Sequence, residues 1–203
     1  MSRIAPPPRD LRRRARDAVR AEIAETAFQL FTQRGFDQTT VDDIAAAAGL
    51  SRRSFFRYFA SKEDAVLGVL NAVGDAIAAE LEARPAGEPP WRSLRRALDV
   101  LVTTYLGDPE VALARFRLIH QTPALRTTLL DKQDRWQRSL AEVLAARLGV
   151  DPARDLRPEL LAAAALAALD VASRRWLATD GHTDLATLLD ETFAVLTRDL
   201  RSQ

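Results

Sequence analysis

The sequence predicts an all-α fold, on three observations. Apolar residues recur at the 3.6-residue helical period through nearly the whole chain. No alternating apolar/polar stretch is bounded by hairpin turns, and β-branched residues are few. Glycine and proline fall where they divide the chain into helix-sized pieces, nine in all. With 203 residues, 47% hydrophobic and 28% charged, the chain has the composition of a folded protein with one ample core or two modest ones.

The first helix is expected from about Arg14 to Arg34, with Val19, Ile23, Ala27, Leu30 and Phe31 on one apolar face. Gly35 is placed to cap its C-terminus, and Phe36 to fold back on its last turn. Residues 1–13, rich in Arg and Pro, read as a flexible arm. A short second helix follows Thr39-Thr40, with Asp42 or Asp43 in its first turn, and ends at Gly49. Ser51 caps a third that runs to Phe59. Ser61 opens a fourth with Asp64 at the capping-box position and Val66, Leu70, Val73, Ile77 and Leu81 as its stripe. Pro85 to Pro90 reads as a linker, followed by a fifth helix carrying Trp91, Leu94, Leu98, Leu101 and Tyr105. Asp108-Pro109 is an N-cap followed by proline at the first helical position, and it opens the sixth. A seventh carries Leu125, Leu129, Trp136, Leu140 and Leu144, and an Ala-rich eighth spans about Pro158 to Thr179. The ninth carries Leu185, Leu188, Leu189, Phe193, Leu196 and Leu200.

The net charge of +1 hides an asymmetry. The first sixty residues hold eleven Arg and no Lys against seven acidic residues, and the remainder holds eighteen basic against twenty-one acidic. A basic N-terminal third on a slightly acidic remainder suggests one polyanion-binding end and one end with another task. The absence of cysteine excludes a disulfide framework and thiolate metal sites, and no metal or cofactor is expected. No apolar run is long enough to span a bilayer, and Met1 to Arg20 does not resemble a secretory leader, so a cytoplasmic protein is expected. Two histidines far apart, no Gly-rich phosphate loop and no paired acid motif leave no catalytic set.

The most specific segment is Thr40 to Glu63, TVDDIAAAAGLSRRSFFRYFASKE. Two short helices joined through Ala48-Gly49-Leu50-Ser51 make the compact turn of a DNA-binding helix-turn-helix. On a helical wheel Phe55 and Phe59 face the core, Arg53 and Arg57 face away, and Ser54 and Phe56 flank the exposed side. Arginines so displayed can pair bidentately with guanine.

From Ala24 to Asp64 the chain resembles the TetR family of bacterial regulators: the family's succession of motifs is present in order and without gaps. The resemblance implies a TetR-like nine-helix architecture, with a helix-turn-helix domain over 14–60 and a ligand-binding and dimerisation domain over 61–203. It implies helix-capping and phosphate-touching roles for Thr40 and Ser51, and places Arg52, Arg53 and Ser54 toward the major groove. Tyr58 matches an aromatic whose hydroxyl reaches phosphate, and Lys62 matches a phosphate clamp. Phe56 departs from the Tyr of many relatives and keeps only apolar contact with DNA. Arg3, Arg9, Arg12, Arg13, Arg14 and Arg16 stay open between a minor-groove or phosphate contact and a solvated tail.

Beyond the linker, Arg115 to Arg126 followed by Trp136 resembles a TetR subgroup with an acyl-CoA-like ligand-binding domain, which includes the mycofactocin-associated regulators. Pocket walls are expected from Tyr105, Phe116, Ile119, Leu129, Trp136 and Leu166, with Arg115, Arg117, Arg126 and Arg174 at the rim. His120 reads as a surface or satisfied histidine, and the loop residue His182 as neither catalytic nor metal-binding. The implied protein is a regulator, a repressor by family default, that pairs as a homodimer through its last two helices. It would leave a pseudo-palindromic duplex when a small hydrophobic or acyl-CoA-like effector binds, an aromatic or drug-like molecule being the second choice. The competing readings are a helical adaptor without DNA binding and an enzyme acting on acyl-thioesters.

Overall fold

The computed structural model describes residues 8–105 and 108–199, apart from a few side chains, that of Tyr105 among them. Its helices are α1 Pro8–Arg34, α2 Val41–Ala47, α3 Arg52–Phe55, α4 Lys62–Leu67, α5 Val69–Ala83, α6 Pro90–Ala97, α7 Asp99–Tyr105, α8 Pro109–Gln121, α9 Pro123–Leu148, α10 Arg157–Ala178 and α11 Leu185–Asp199. No strand occurs among the described residues, as the sequence predicts. Two of the breaks are slight. Gly68 between α4 and α5 (φ −63°, ψ −30°) and Leu98 between α6 and α7 (φ −70°, ψ −12°) both keep right-handed helical backbone, so the eleven segments trace the nine expected helices.

Two expectations need correction. The first helix begins at Pro8 rather than near Arg14, so Arg9, Arg12, Arg13, Arg14 and Arg16 lie on a helix and not in an arm. The physical reason is local: proline suits the first helical turn, and arginine is a good helix former. The third helix is α-helical only to Phe55; from there the amides of Arg57 and Tyr58 reach back three residues, to Ser54 and Phe55, in a tighter turn. The Pro85 to Pro90 stretch, read as a linker, is held in place. Arg147 donates to the carbonyls of Arg84 (2.7 Å) and Pro85 (2.9 Å), which ties that turn to α9. Arg3, which lies ahead of Pro8, is outside the described residues.

The chain divides into two compact units, Met1–Val69 and Leu70–Gln203. In the first, α1 packs on α2 and α4, and α2 on α3. Ile23, Ala27, Phe28 and Phe31 meet Ile44, Phe55, Phe59 and Leu67 in its core. Phe36 does fold back, its ring 4.9 Å from that of Phe31. In the second unit α10 is the central helix, packed by α9, α11 and α6. Its buried face alternates large residues (Leu166, Leu169, Trp176) with Ala162, Ala165 and Ala172, which lets neighbouring helices approach closely. Trp91 stacks on Phe193 at 4.3 Å and donates its indole N–H to the Phe193 carbonyl. Arg95, buried on α6, reaches Asp190 (2.7 Å) and the Ala186 carbonyl of α11. These contacts clamp the ninth expected helix to the fifth.

Candidate functional site

Unit 1 carries the helix-turn-helix. Thr40 and Asp43 form a reciprocal capping box: the Asp43 amide donates to Thr40 Oγ1 (3.2 Å), and the Thr40 amide donates to Asp43 Oδ2 (2.8 Å). Hydrogen bonds from the Thr40 side chain and backbone, with a smaller pull from Arg34, hold the Asp43 carboxyl below its usual range. The turn closes through Leu50, whose amide donates to the Ala45 carbonyl at 2.8 Å. Gly49 makes that possible with φ +67°, a conformation costly for a residue with a Cβ. Ser51 then caps α3 by accepting from the Ser54 amide.

Phe55 and Phe59 are fully buried with ring centroids 5.5 Å apart, and they anchor α3 from beneath. Its outer side presents Arg53, exposed and without a hydrogen-bond or ion-pair partner among the described residues, and Phe56, 46% exposed. Arg52 is committed elsewhere: it pairs with Asp42 at 2.7 Å and lies 5.6 Å from the Phe56 ring. Ser54 is half-buried, and Tyr58 sits beneath the Arg57 guanidinium at 5.8 Å.

Lys62 behaves unlike a free clamp. Its ammonium donates to the carbonyls of Phe36 (2.8 Å) and Thr39 (3.1 Å) and lies 4.2 Å from the Phe36 ring centroid. Two of its three N–H donors therefore hold the loop that delivers Thr40 to the N-terminus of α2. Two further arginines join the surface although the motif did not single them out for that place. Arg16 donates to the Arg57 carbonyl (3.1 Å). Arg20 lies 4.7 Å over Phe59, pairs with Asp64 at 3.4 Å, and passes close over Gly68. Their partners lie some forty residues away in sequence, beyond the reach of local spacing.

Unit 2 contains a partly open cavity of about 30 Å³. Four of the expected wall residues, Phe116, Ile119, Leu129 and Trp136, do line it. Leu166 and Arg126 line a neighbouring open groove instead. Arg115, Arg117 and Arg174 line neither; Arg117 pairs with Asp180, and Arg174 with Asp170 at 2.6 Å. The Tyr105 side chain lies outside the described residues. Leu70, Leu101 and Leu169 complete the apolar wall, and His120, Gln133, Asp170 and Ser173 form a polar one that the sequence reading missed. His120 in particular stands at the cavity with its ring stacked over Phe116 at 6.3 Å. Burial, with help from Arg126 and Arg174, lowers its pKa below the ordinary histidine value against an opposing pull from Asp170. Trp136 is seated edge-on against Gly74 of α5, where a Cβ would stand 2.0 Å from the indole nitrogen.

Among the described residues no cluster of three or more His, Cys, Asp or Glu is placed to hold a metal. No described helix is long and apolar enough to cross a membrane. An all-α chain with a capped helix-turn-helix, an aromatic-anchored α3 that displays arginine, and a second helical unit with its own cavity has the build of a one-component helix-turn-helix transcription regulator. Comparison with known proteins agrees. Residues 23–68 match the family described as bacterial regulatory proteins, tetR family, and residues 88–201 match the MftR C-terminal domain. The transcriptional regulator TcmR of Streptomyces glaucescens is 36% identical over 184 residues, covering 88% of this chain and 81% of TcmR. MftR of Mycobacterium tuberculosis, named for regulation of mycofactocin biosynthesis, is 31% identical over 190 residues, covering 90% of this chain and 91% of MftR. The crystal structure of NalD, the secondary repressor of a multidrug efflux pump in Pseudomonas aeruginosa, shares the fold. It superposes with a TM-score of 0.61 at 22% identity, over 90% of this chain and 96% of NalD. The chain belongs to the TetR family of bacterial transcriptional regulators.

Proposed function

We propose that this regulator is a homodimeric repressor that holds a pseudo-palindromic operator and releases it when a small molecule enters the cavity of unit 2. In this reading unit 1 is the DNA-binding domain and unit 2 the ligand-binding and dimerisation domain, with the division at residue 69. The observation that carries the reading is the outer face of α3: Arg53 is free to pair with a base edge, while Phe55 and Phe59 keep the helix rigid. Phe56 adds an apolar contact for a thymine methyl or a sugar edge. Thr40, Ser51, Ser54, Tyr58, Lys62 and the helical arginines of α1 supply phosphate and positioning contacts, Lys62 with its one remaining donor.

The dimer is supported by an exposed apolar stripe. Leu160 and Val171 on α10 and Val195 and Leu196 on α11 are 40–68% exposed, with the small residues Ala163, Ala164 and Ala167 between them. A second copy of the same two helices would cover this stripe, giving the two-fold symmetry that a dyad-symmetric site reads. Release requires two conformations that the effector distinguishes. A cavity of about 30 Å³ holds roughly one water, whereas drug-sized ligands occupy roughly 300–1,000 Å³. An effector must therefore push its walls apart. Trp136 rests on the backbone of α5, which follows α4 directly in the chain, so a displaced indole moves that helix.

The test is in vitro selection of bound duplexes, followed by sedimentation of the complex. The expected outcome is a sequence dyad with two protomers per site, lost together with the dimer in Leu160→Glu. A monomer on a site without a dyad, or binding with no steep salt dependence, would refute the reading in favour of an adaptor.

A further inference from the structure

We propose that the cavity of unit 2 takes an uncharged, planar aromatic molecule bearing hydroxyl or carbonyl groups, seated between Phe116 and Trp136 and hydrogen-bonded by His120, Gln133 and Ser173. This rests on the reading of that cavity as the effector site and adds the chemistry of what enters it.

Three polar side chains from three different helices converge on this one space: His120 from α8, Gln133 from α9 and Ser173 from α10. None of them has a hydrogen-bond partner among the described residues, although Ser173 is only 4% exposed. The Ser173 hydroxyl is not itself sealed from water, so it opens on the cavity as a donor and acceptor that an entering molecule can use. Around them the wall is apolar and flat-faced. The Phe116 ring is edge-on to Trp176 at 5.5 Å and nearly parallel to the His120 imidazole, which fixes its plane. A flat ring system can enter beside such faces by parting the walls in one direction, with offset or edge-on aromatic contacts.

The charge at the cavity selects against an anion. Among the described residues no Lys or Arg lines it, and the one acid that does, Asp170, is already paired with Arg174. Arg126 stands in the adjoining groove, exposed, where a paired charge stays in water and adds little. A charged head drawn into the cavity itself would face a carboxylate and lose its hydration. Burial, with the nearby Arg126 and Arg174 and against Asp170, lowers the His120 pKa and so favours its neutral form. A neutral imidazole offers one donor and one acceptor; with the serine hydroxyl and the glutamine amide it matches phenolic and ketonic oxygens.

The test uses the full-length protein and three probes at pH 7: 2,7-dihydroxynaphthalene, naphthalene and lauroyl-CoA, with affinities from titration calorimetry. The dihydroxy compound is expected to bind about tenfold more tightly than naphthalene. Ser173→Ala and Gln133→Leu should each weaken the dihydroxy compound about three- to tenfold and leave naphthalene within about twofold, which also shows that the variants fold. Equal affinity for the two naphthalenes, no detectable binding of the dihydroxy compound, unchanged binding by both variants, or its displacement by lauroyl-CoA at lower concentration overturns the proposal. A duplex-release assay with the selected site separates the two layers. If the dihydroxy compound binds through Ser173 and Gln133 but leaves the duplex in place, the ligand chemistry stands and the effector role falls. If lauroyl-CoA releases the duplex and the dihydroxy compound does not bind, the effector role stands and the ligand chemistry falls.

Discussion

Replacing Gly74 by alanine puts a methyl group where the Trp136 indole already lies. The new Cβ would stand 2.0 Å from Nε1, 2.3 Å from Cδ1 and 2.8 Å from Cε2, against an ordinary contact beginning at 3.4 Å. The ring edge must therefore retreat by about 1.4 Å, or α5 and α9 must part by a similar distance. An indole held on one edge is not the far end of a flexible chain, and the adjoining cavity of about 30 Å³ offers only a fraction of a side chain's volume. Overpacking of this kind costs roughly 1–3 kcal/mol, offset by about 1 kcal/mol because alanine is the better residue in a helix interior. The expected net loss is up to about 2 kcal/mol, read as a lowered urea midpoint at fixed protomer concentration with an unchanged slope. Trp136→Phe supplies the control. With the indole gone, Gly74→Ala should be neutral or stabilising, a coupling of at least about 1 kcal/mol between the two sites. Equal or greater stability of the single Gly74→Ala variant, or the same cost on both backgrounds, would show that the indole moves freely. The link from the cavity to α5 would then be lost.

Arg53→Ala should cost about 1–3 kcal/mol on the selected duplex and relax base preference at one position per half-site, measured by competition binding against random DNA. Arg52→Ala, whose guanidinium is already paired with Asp42, should relax base preference less; an equal loss for both would refute the assignment of Arg53. Lys62→Met removes two charge-assisted hydrogen bonds from a part-buried site, so the thermal midpoint should fall, with a stability loss of about 1–3 kcal/mol. The same variant should weaken all duplexes alike, and the salt slope should drop by roughly one unit only if its third donor reaches a phosphate. Glu88 carries the pH prediction. The Arg84 guanidinium, and then Ser93, hold its carboxyl down at about 2, against an ordinary 4.5. A depressed acid contributes stability that is present above pH 4.5 and lost as pH falls toward 2. Urea midpoints of wild type and Glu88→Gln should converge as pH falls through that window, and parallel curves would contradict it.

The helix-turn-helix was legible because its determinants are local. Thr40 and Asp43 cap each other three residues apart, Gly49 needs its positive φ for the turn alone, and the spacing of Phe55 and Phe59 already assigns them to the core. The start of α1 was misplaced for a related reason: Pro8 opens the helix, but the run of prolines ahead of it reads as an arm when taken by composition. The cavity was half legible. Phe116, Ile119, Leu129 and Trp136 are large and apolar at helical spacing, so periodicity turns them inward; it turns Leu166 inward as well, but toward another space. Periodicity gives no reason to place His120, Gln133 and Ser173 together, since they belong to three separate helices. The partners of the rim arginines were not legible for the same reason, because an arginine's partner is whichever acid reaches it: Asp180 for Arg117, Asp170 for Arg174.

What the sequence by itself determined is the all-α class, the order of the helices, the family and the helix-turn-helix. Each follows from interactions that close within one or two turns: caps, glycine turns and the 3.6-residue apolar period. What only the tertiary structure decided is how side chains from distant helices share space. Lys62 turns to two backbone carbonyls of the preceding loop instead of standing free, and Trp136 takes the place a Cβ would have occupied at Gly74. The cavity is lined by idle hydrogen-bonding groups and one carboxylate instead of by arginines. The physical reason is that helix packing brings faces together by shape across tens of residues of chain, and neither hydrogen-bond partners nor cavity walls are encoded in local spacing.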